Sequence, residues 1–257
     1  MLIDSHCHLD YYKADEQPEI LARAREAGVG EMVTIGTRLS RAAEQIALAE
    51  ALPNVWCTVG THPHHAAEEE LPDEQAVADL ASHPKVIAIG EAGLDYFYDK
   101  SPRDVQAEVF RRQIRAAGLA GVPICIHARD ADEDIFAILK EQRDQGVEYD
   151  FLLHCFSSGR ALAEQAVAIG GYVSFSGILT FPKSQELRAI AADVPADRLL
   201  VETDSPYLAP VPFRGKRNEP AHVAHTARVL AEVRGMSSED IAALTTLNFR
   251  RLFPKAA

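Results

Sequence analysis

Short apolar runs alternate with longer segments of mixed polarity along the chain, and the alternation occurs eight times. The runs are rich in Val, Ile and Leu. Nearly continuous apolar runs of this kind are typical of parallel strands that are buried on both faces. The predicted strands are 2–5, 32–36, 55–60, 86–90, 123–126, 151–153, 172–176 and 199–203.

The segments between these runs show helical periodicity. In the segment 131–139 the apolar residues recur at helical spacing, and three acidic residues precede them in the first turn, where the helix dipole favours negative charge. Ser101 and Pro102 predict an N-cap followed by proline at the first helical position. Ser40 predicts the cap of an earlier helix. Strand and helix therefore alternate over the whole chain.

Eight strand–helix units within 257 residues predict an α/β protein of the (β/α)8 TIM barrel type. The alternative is an open, doubly wound sheet. That fold usually carries a glycine-rich phosphate loop after its first strand, whereas His6, Cys7 and His8 stand at this place. No shift in composition and no Ser/Gly-rich linker divides the chain, so we expect residues 1–257 to form a single domain.

Composition narrows the classes of partner. The net charge of −12 argues against a general polyanion binder, because affinity for nucleic acid comes largely from Lys and Arg on phosphates. No apolar run reaches 18 residues, and the first ten residues are unlike a signal peptide, so we expect no membrane partner. The four cysteines are scattered and predict reduced thiols in a cytoplasmic protein. A barrel of this size is stable on its own, which predicts a monomer.

Residues of metal-ligating type follow five of the predicted strands. Catalytic groups of a TIM barrel come from the carboxyl ends of its strands, so these side chains should meet at one end of the barrel. A lone His-x-His pair would fit a strand end equally well, but here it has distant partners. The six candidate metal ligands are His6, His8, Glu91, His127, His154 and Asp204.

Four imidazoles and two carboxylates exceed the needs of one tetrahedral ion and suit a pair of divalent ions. Mg, Mn and Zn, as well as Ni and Co, are compatible with such mixed ligands, and the sequence does not choose among them. Glu91 has two carboxylate oxygens and can bridge the ions. We assign one ion to His6, His8, Glu91 and Asp204, and the other to Glu91, His127 and His154.

Such a pair of ions predicts hydrolysis, because a divalent ion lowers the pKa of bound water from 15.7 towards about 7. Asp204 is then a candidate catalytic residue that orients the water and takes its proton. An acid that caps the turn before Pro206 is the alternative interpretation. His62 and His64 follow the third predicted strand and are candidates for contacting a scissile phosphate or protonating the leaving oxygen. A surface-loop pair is the alternative for these two.

Positive charge near the same end of the barrel predicts phosphate binding. Arg129 lies two residues after His127, and Arg214, Lys216 and Arg217 form the densest basic stretch of this acidic chain. A solvated loop would explain that stretch equally well. In the loop after Glu91 are two aromatic residues that either stack on a base or pack at the rim, Tyr96 and Phe97.

The order of these motifs resembles the TatD family of metal-dependent deoxyribonucleases, within the metal-dependent hydrolase superfamily. The resemblance covers nearly the whole chain. Its segments are DSHCHLD at 4–10, GTHPH at 60–64, GEAGLD at 90–95, HAR at 127–129, HCFSSG at 154–159, ETDSPY at 202–207, RGKRNEP at 214–220 and NFRRLF at 248–253. Glu91 supports this branch, because related barrels that use a carbamylated lysine carry Lys at that position.

The resemblance implies a 3′-to-5′ exonuclease or a related phosphodiesterase that acts on DNA, most of all on single-stranded DNA, with RNA as another substrate. An alternative from the same superfamily is the hydrolysis of a small amide, lactone or phosphate ester. A non-catalytic metal-binding protein is a third hypothesis. The full set of ligands argues against it, because a structural site is closed and needs fewer groups.

Overall fold

The computed structural model describes residues 1–256, and in it eight parallel strands follow one another around a single sheet in chain order. Each strand pairs with the next in parallel register. The strands are β1 (Leu2–Cys7), β2 (Val29–Thr34), β3 (Val55–Val59), β4 (Val86–Asp95), β5 (Ile124–Arg129), β6 (Phe151–Leu153), β7 (Tyr172–Phe175) and β8 (Leu199–Val201).

The sheet closes where the last strand meets the first. Cys7 and Ser205 form a parallel bridge beyond the regular part of β8. The Asp204 amide donates to the His6 carbonyl at 2.9 Å, and the His8 amide donates to the Ser205 carbonyl at 2.8 Å. The structure is therefore a nearly closed (β/α)8 barrel, as the hydrophobic pattern predicts. These hydrogen bonds also hold the backbone of the predicted ligands His6 and His8 against the segment that carries the predicted ligand Asp204.

Helices surround the barrel and follow the strands in turn. α8 and α9 both come after β8, and α9 packs against β1 and β8. Within residues 1–256 the helices are α1 (Gln17–Glu26), α2 (Ala42–Ala51), α3 (Glu74–Ala81), α4 (Arg103–Ala120), α5 (Asp132–Asp144), α6 (Arg160–Ala168), α7 (Gln185–Asp193), α8 (Val223–Arg234) and α9 (Ser238–Leu252). None of these helices combines the length and the apolar character that crossing a bilayer requires.

The helix pattern of segment 131–139 is confirmed by α5, whose apolar stripe is buried and whose first turn is acidic. Two predicted caps are wrong. The N-cap position of α4 is Pro102, and the Ser101 hydroxyl instead accepts from the Ala67 amide. Ser40 lies in a short 3-10 turn before α2, where its hydroxyl donates to Glu69. Each hydroxyl therefore joins two loops of the barrel mouth rather than capping a helix.

Three strands run further than their apolar patterns predict. β1 ends at Cys7, β5 ends at Arg129, and β4 continues through a glycine-rich segment to Asp95. Gly93 has a φ of +130° and lies so close to β5 that a Cβ there would stand 2.0 Å from the His127 carbonyl oxygen. Glycine is required at this position, and it disguises the strand in the sequence.

The core has two parts. The larger part packs the outer faces of the strands against the helices. The smaller part draws residues from β1, β2, β4, β5, β6, β7 and β8, which can meet only inside the barrel, and it includes Phe249, Leu252 and Phe253 from the chain end. Lys255 donates to the carbonyls of Ala81 and His83, which precede β4. The chain end thus crosses and seals the amino end of the barrel.

Candidate metal centre

Local irregularities in two strands direct ligands into the open, carboxyl end of the barrel. The β1–β2 register shifts between Asp4 and Cys7, and the β4–β5 register shifts between Ile89 and Ala92. Each shift adds one residue to one strand, and such a bulge re-aims the side chains beside it. His6 and Glu91 lie within the two shifted segments; Glu91 lines the cavity, and His6 lies directly beneath it. Cys7, between the two histidines, packs with the helix-facing core, as the alternation predicts.

One oxygen of the buried Glu91 carboxylate faces three imidazoles. Oε1 lies 2.8 Å from His154 Nε2, 3.0 Å from His127 Nδ1 and 3.3 Å from His62 Nε2. All four side chains come from different strands or loops and are at least four-fifths buried. This oxygen is the centre of the first half of the site.

The other oxygen faces the histidines of β1. Glu91 Oε2 lies 3.6 Å from His6 Nε2 and 3.9 Å from His8 Nε2. Asp204 Oδ1 lies 3.7 Å and 3.4 Å from the same two nitrogens. Asp204 has a φ of +55°, in the left-handed region that Asp tolerates better than most residues. Glu91 therefore stands between two groups of donors, as a bridging carboxylate would.

The donors fit divalent metal ions. His6 Nε2 is buried and lacks a hydrogen-bond partner, and the buried His154 Nε2 lies 2.8 Å from Glu91 Oε1 without the geometry of a hydrogen bond. His127 Nε2 lies 3.0 Å from Asp95, which can only accept, so neutral His127 directs the lone pair of Nδ1 at a Glu91 oxygen. Two lone pairs that face each other need a cation between them. Ligand atoms lie within 4.8 Å of one another in the sets His6–His8–Asp204 and His62–Glu91–His127, and also in His6–His154–Glu202.

The electrostatics of the cluster likewise favour bound positive charge. Burial alone would raise the pKa of Glu91, but the imidazoles of His154, His62 and His127 around it hold that pKa well below its usual value. Burial opposes the charged form of His154, yet Glu91 and a hydrogen bond to Glu202 raise its pKa well above the ordinary value. Burial lowers the pKa of His62 to about 4, which keeps that imidazole neutral.

Two carboxylates of the site are missing from the sequence-based prediction. Asp95 accepts from His127 Nε2 at 3.0 Å and from His64 Nε2 at 2.8 Å, and hydrogen bonds from both histidines lower its pKa against the effect of burial. Glu202 lies 3.3 Å from His154 Nδ1 and accepts from the Cys155 amide. Carboxylates in such positions orient metal-ligating histidines. The sequence offers one signal for them, since Asp95 lies four residues after Glu91 and Glu202 lies two residues before Asp204.

His62 and His64 belong to the same site. His62 caps a short 3-10 turn after β3, and His64 lies within this turn, where its amide donates to His62 Nδ1 at 3.0 Å. His62 faces Glu91, whereas His64 is held by Asp95. The turn therefore places both imidazoles beside the candidate ligands rather than on an outer loop, so the interpretation as a surface-loop pair is wrong for their location.

The four cations predicted to bind phosphate differ in their position relative to the cavity: one lines it and three lie outside. Arg129 lines the cavity, with its guanidinium 4.2 Å from the ring centre of Phe97. Arg214 stacks on Phe181 at 3.5 Å, and Arg217 pairs with Glu16 at 3.0 Å. Residues 214–217 lie outside the lining of the cavity. Their binding to substrate stays a prediction.

Of the two aromatic residues predicted in the loop after Glu91, Tyr96 packs at the rim. Its hydroxyl donates to Asp134 at 2.6 Å, and Arg103 covers its ring at 4.1 Å. Phe97 is 56% exposed.

The cavity above the ligands has a volume of about 460 Å³. That volume lies within the usual range for small-ligand pockets. It is lined by five of the six predicted ligands, by His62, His64 and Arg129, and by three tyrosines, Tyr11, Tyr98 and Tyr207. His6 lies beneath it, fully buried and stacked on His154 at 3.8 Å. The site is therefore open to a substrate on one side and closed by packed side chains on the other.

Comparison with known proteins gives one consistent family. The model of the family described as "TatD related DNase" matches residues 3–254. The "uncharacterized metal-dependent hydrolase YabD" of Bacillus subtilis is 41% identical over 257 residues, which cover 98% of this chain and 99% of the relative. The "3′-5′ ssDNA/RNA exonuclease TatD" of Erwinia tasmaniensis is 37% identical over 246 residues, which cover 93% and 94% of the two chains.

The fold comparison agrees. The crystal structure of YJJV, a TatD homologue from Escherichia coli K12, superimposes with a TM-score of 0.88 at 28% identity and covers 98% of each chain. A phosphotriesterase homology protein from Escherichia coli, at 15% identity and a TM-score of 0.71 over 98% of each chain, shares the fold.

Proposed function

The chain belongs to the TatD family of metal-dependent hydrolases, and we propose that it removes nucleotides from single-stranded DNA as a 3′-to-5′ exonuclease. The observation that carries the proposal is the Glu91 carboxylate, which stands between two groups of inward-facing imidazoles at the mouth of the barrel. This arrangement matches the needs of a two-ion hydrolytic site.

We assign the ligands as the sequence predicts them. Two divalent ions, Mg, Mn or Zn, would be held by His6, His8, Glu91 and Asp204 on one side and by Glu91, His127 and His154 on the other. When bound, they would polarise a phosphoryl oxygen and make water more acidic. Under this assignment Asp95 and Glu202 hold the second-ion histidines from behind.

The chain's own groups supply the proton transfers. Burial would raise the pKa of Asp204, but His8 and His6 lower it, so this carboxylate is ionised near neutral pH and can accept a proton from water. His64, whose Nε2 is held by Asp95, lies on the opposite side of Glu91 and is our candidate for contacting the scissile phosphate. His62, kept neutral by burial, and Arg129 are candidates for binding the phosphoryl oxygens.

Two observations support a strand end as substrate. The Erwinia tasmaniensis relative carries the name of a single-strand exonuclease. A cavity of about 460 Å³ is the size of a small-ligand pocket, which admits a terminal nucleotide but excludes a duplex. We also propose that residues 1–257 act as one domain and as a monomer in the cytoplasm, since one barrel supplies all six predicted ligands.

The proposal is tested by digestion of end-labelled oligonucleotides. The metal-loaded protein should shorten single strands from the 3′ end, release mononucleotides and leave blunt duplexes largely intact. Asp204→Ala, purified in the same way, is the control for a contaminating nuclease. Equal digestion by the wild type and by this variant would overturn the proposal.

A small phosphate ester is the second candidate substrate, and one observation favours it. The basic residues 214–217 lie outside the cavity, and Arg217 is already paired with Glu16. If the substrate is a strand, neutralising Arg214 and Lys216 should slow oligonucleotide turnover several-fold at low salt and leave a small ester unaffected. If neutralising Arg214 and Lys216 leaves the turnover of both the oligonucleotide and the small ester unchanged, the small ester is favoured.

A further inference from the structure

The exposed aromatic side chains of residues 1–256 are concentrated at the mouth of the barrel. Tyr11, Phe97, Tyr98 and Tyr207 are 37%, 56%, 51% and 53% exposed, and all four lie in loops that follow β1, β4 or β8. The other large exposed hydrophobic side chains are aliphatic: Met1, Leu71, Leu119, Val211 and Leu247. A group of exposed aromatic residues at one opening marks a binding surface.

The first aromatic group is the pair Tyr11 and Tyr207. Their ring centres lie 6.2 Å apart at an interplanar angle of 83°. Tyr11 also stacks on His8 at 4.9 Å, with the planes within 10°. Both tyrosines line the cavity on the side of the first predicted ion.

The second aromatic group is Phe97 and Tyr98, on the opposite side of Glu91. Their ring centres lie 4.9 Å apart, and Tyr98 contacts His64 edge-on at 5.3 Å. The Arg129 guanidinium lies 4.9 Å from the Tyr98 ring centre, and Lys100 Nζ lies 5.7 Å from it. Aromatic faces beside cations match a nucleotide, which offers a π-face and a phosphate together.

We propose that the two aromatic groups are base-binding subsites that hold unpaired nucleobases on either side of the metal centre. This proposal rests on the proposed exonuclease function and names the residues that would select single-stranded substrates. Bases within a duplex stack on each other and offer no free face, so these subsites would select single strands. Stacking tolerates any base, since every base has a π-face.

The charge around the mouth assigns the strand's direction. Beside the Phe97–Tyr98 group a groove carries four carboxylates against two cations, which disfavours further phosphates. On the other side the basic segment 214–217 borders the Tyr11 loop, because Arg217, which pairs with Glu16, also donates to the Tyr11 carbonyl at 3.0 Å. Arg214 and Lys216 of this segment supply positive charge there. The terminal base therefore belongs to the Phe97–Tyr98 group, and the next base belongs to Tyr11 and Tyr207. The carboxylates of the groove are Asp130, Asp132, Glu133 and Asp134.

Equilibrium binding with abasic probes tests the subsites. The probes are fluorescein-labelled dT octamers with phosphorothioate linkages, either intact, abasic at the 3′-terminal residue or abasic at the penultimate residue. Fluorescence anisotropy with the Mg²⁺-loaded protein gives each Kd. Because binding is measured without cleavage, the result does not depend on turnover.

We expect Tyr98→Ala to raise the Kd of the intact octamer about 5- to 100-fold, the range of one base–aromatic stack, and to leave the Kd of the terminally abasic octamer unchanged. Tyr207→Ala should show the same pattern with the penultimate abasic probe. Tyr98→Phe and Tyr207→Phe keep the aromatic face and should bind like the wild type. Both tyrosines are exposed, so the substitutions should leave the melting temperature unchanged.

Two outcomes separate this inference from the proposed function. If the wild type binds intact and abasic octamers equally, or if each Tyr→Ala variant weakens both by the same factor, the base-binding subsites are overturned. If the wild type distinguishes the probes but leaves unmodified octamers uncut, the exonuclease proposal fails while the subsites stand.

Discussion

The two ends of the barrel interior are built by the same strands and have opposite character. At the amino end, apolar residues such as Ile3, Ile87 and Leu152 pack against Phe249 and Leu252 of the chain end. At the carboxyl end, the same strands present imidazoles and carboxylates to an open cavity. The change from one to the other takes only two to four residues along each strand.

The β5 strand shows the boundary. Cys125 belongs to the apolar interior, and its Sγ lies 3.4 Å from His6 Nδ1. His127, two residues on, faces Glu91. Because apolar burial drives folding while unpaired buried polar groups oppose it, we infer that the amino end supplies stability and the carboxyl end supplies function at some cost to stability. Substitutions at the two ends should therefore separate stability from activity.

The largest effect on activity is expected from Glu91→Gln. Loss of the bridging charge should lower hydrolysis roughly 10³-fold, as removal of a key electrostatic group does in other enzymes. The unfolding midpoint in urea should stay within the error of the wild type or rise. Steady-state kinetics and urea titration measure both, with the exposed Glu133→Gln as a matched control. Near-normal turnover by Glu91→Gln would contradict the role of this carboxylate.

The largest effect on stability is expected from Phe249→Ala. This fully buried ring fills the amino end of the interior, and its removal should lower the free energy of unfolding by about 3–5 kcal/mol. The specific activity of the folded fraction at 20–25 °C should remain within about twofold of the wild type, because distant sites are energetically independent. A loss of activity much larger than the unfolded fraction would show that the two ends are coupled.

An intermediate effect is expected from Asp95→Asn. His64 and His127 both donate to Oδ2 of Asp95, and two backbone amides of the loop that follows donate to Oδ1. An amide has only one accepting oxygen and cannot serve both sets of donors, so metal affinity should fall about 10- to 100-fold. Isothermal titration of the metal-free protein measures the change directly. Asp130→Asn, in the next loop, is the matched control. An unchanged metal affinity would mean that Asp95 only anchors the loop that follows it.

The smallest effect is expected at the amino end, from the Glu31–Arg250 pair. Burial tends to raise the pKa of Glu31, but hydrogen bonds from Arg250 and Trp56 lower it overall. A lowered pKa means that the stabilisation is present above the unfolded value of about 4.3 and is lost as the pH falls through the folded value. Glu31→Gln should lower the free energy of unfolding by about 1 kcal/mol at neutral pH and by less at acidic pH.

Urea denaturation at neutral pH and under acidic conditions measures this dependence. The difference between wild type and Glu31→Gln should shrink on acidification. A difference that grows in acid would reverse the sign assigned to this pair.

The sequence predicts the barrel well because each strand is a local apolar run and parallel order follows from alternation. The sequence also predicts that the six candidate ligands lie close together, because the carboxyl ends of the strands converge in a (β/α)8 barrel. It does not reveal the extension of β4 to Asp95, since the glycines that the close approach to β5 requires look like a turn. Nor does it reveal that Glu16, about two hundred residues away, pairs with Arg217. Contacts of that kind depend on the folded arrangement.

The central claim is that the carboxyl end of the barrel binds two divalent ions. Elemental analysis of the purified protein, together with calorimetric titration of the metal-stripped form, measures this directly. We expect two ions per chain in the wild type, fewer in His127→Ala and Asp204→Ala, and no hydrolysis by the stripped protein until metal is restored. A wild-type protein that binds no divalent ion, or a stripped protein with full activity, would contradict it.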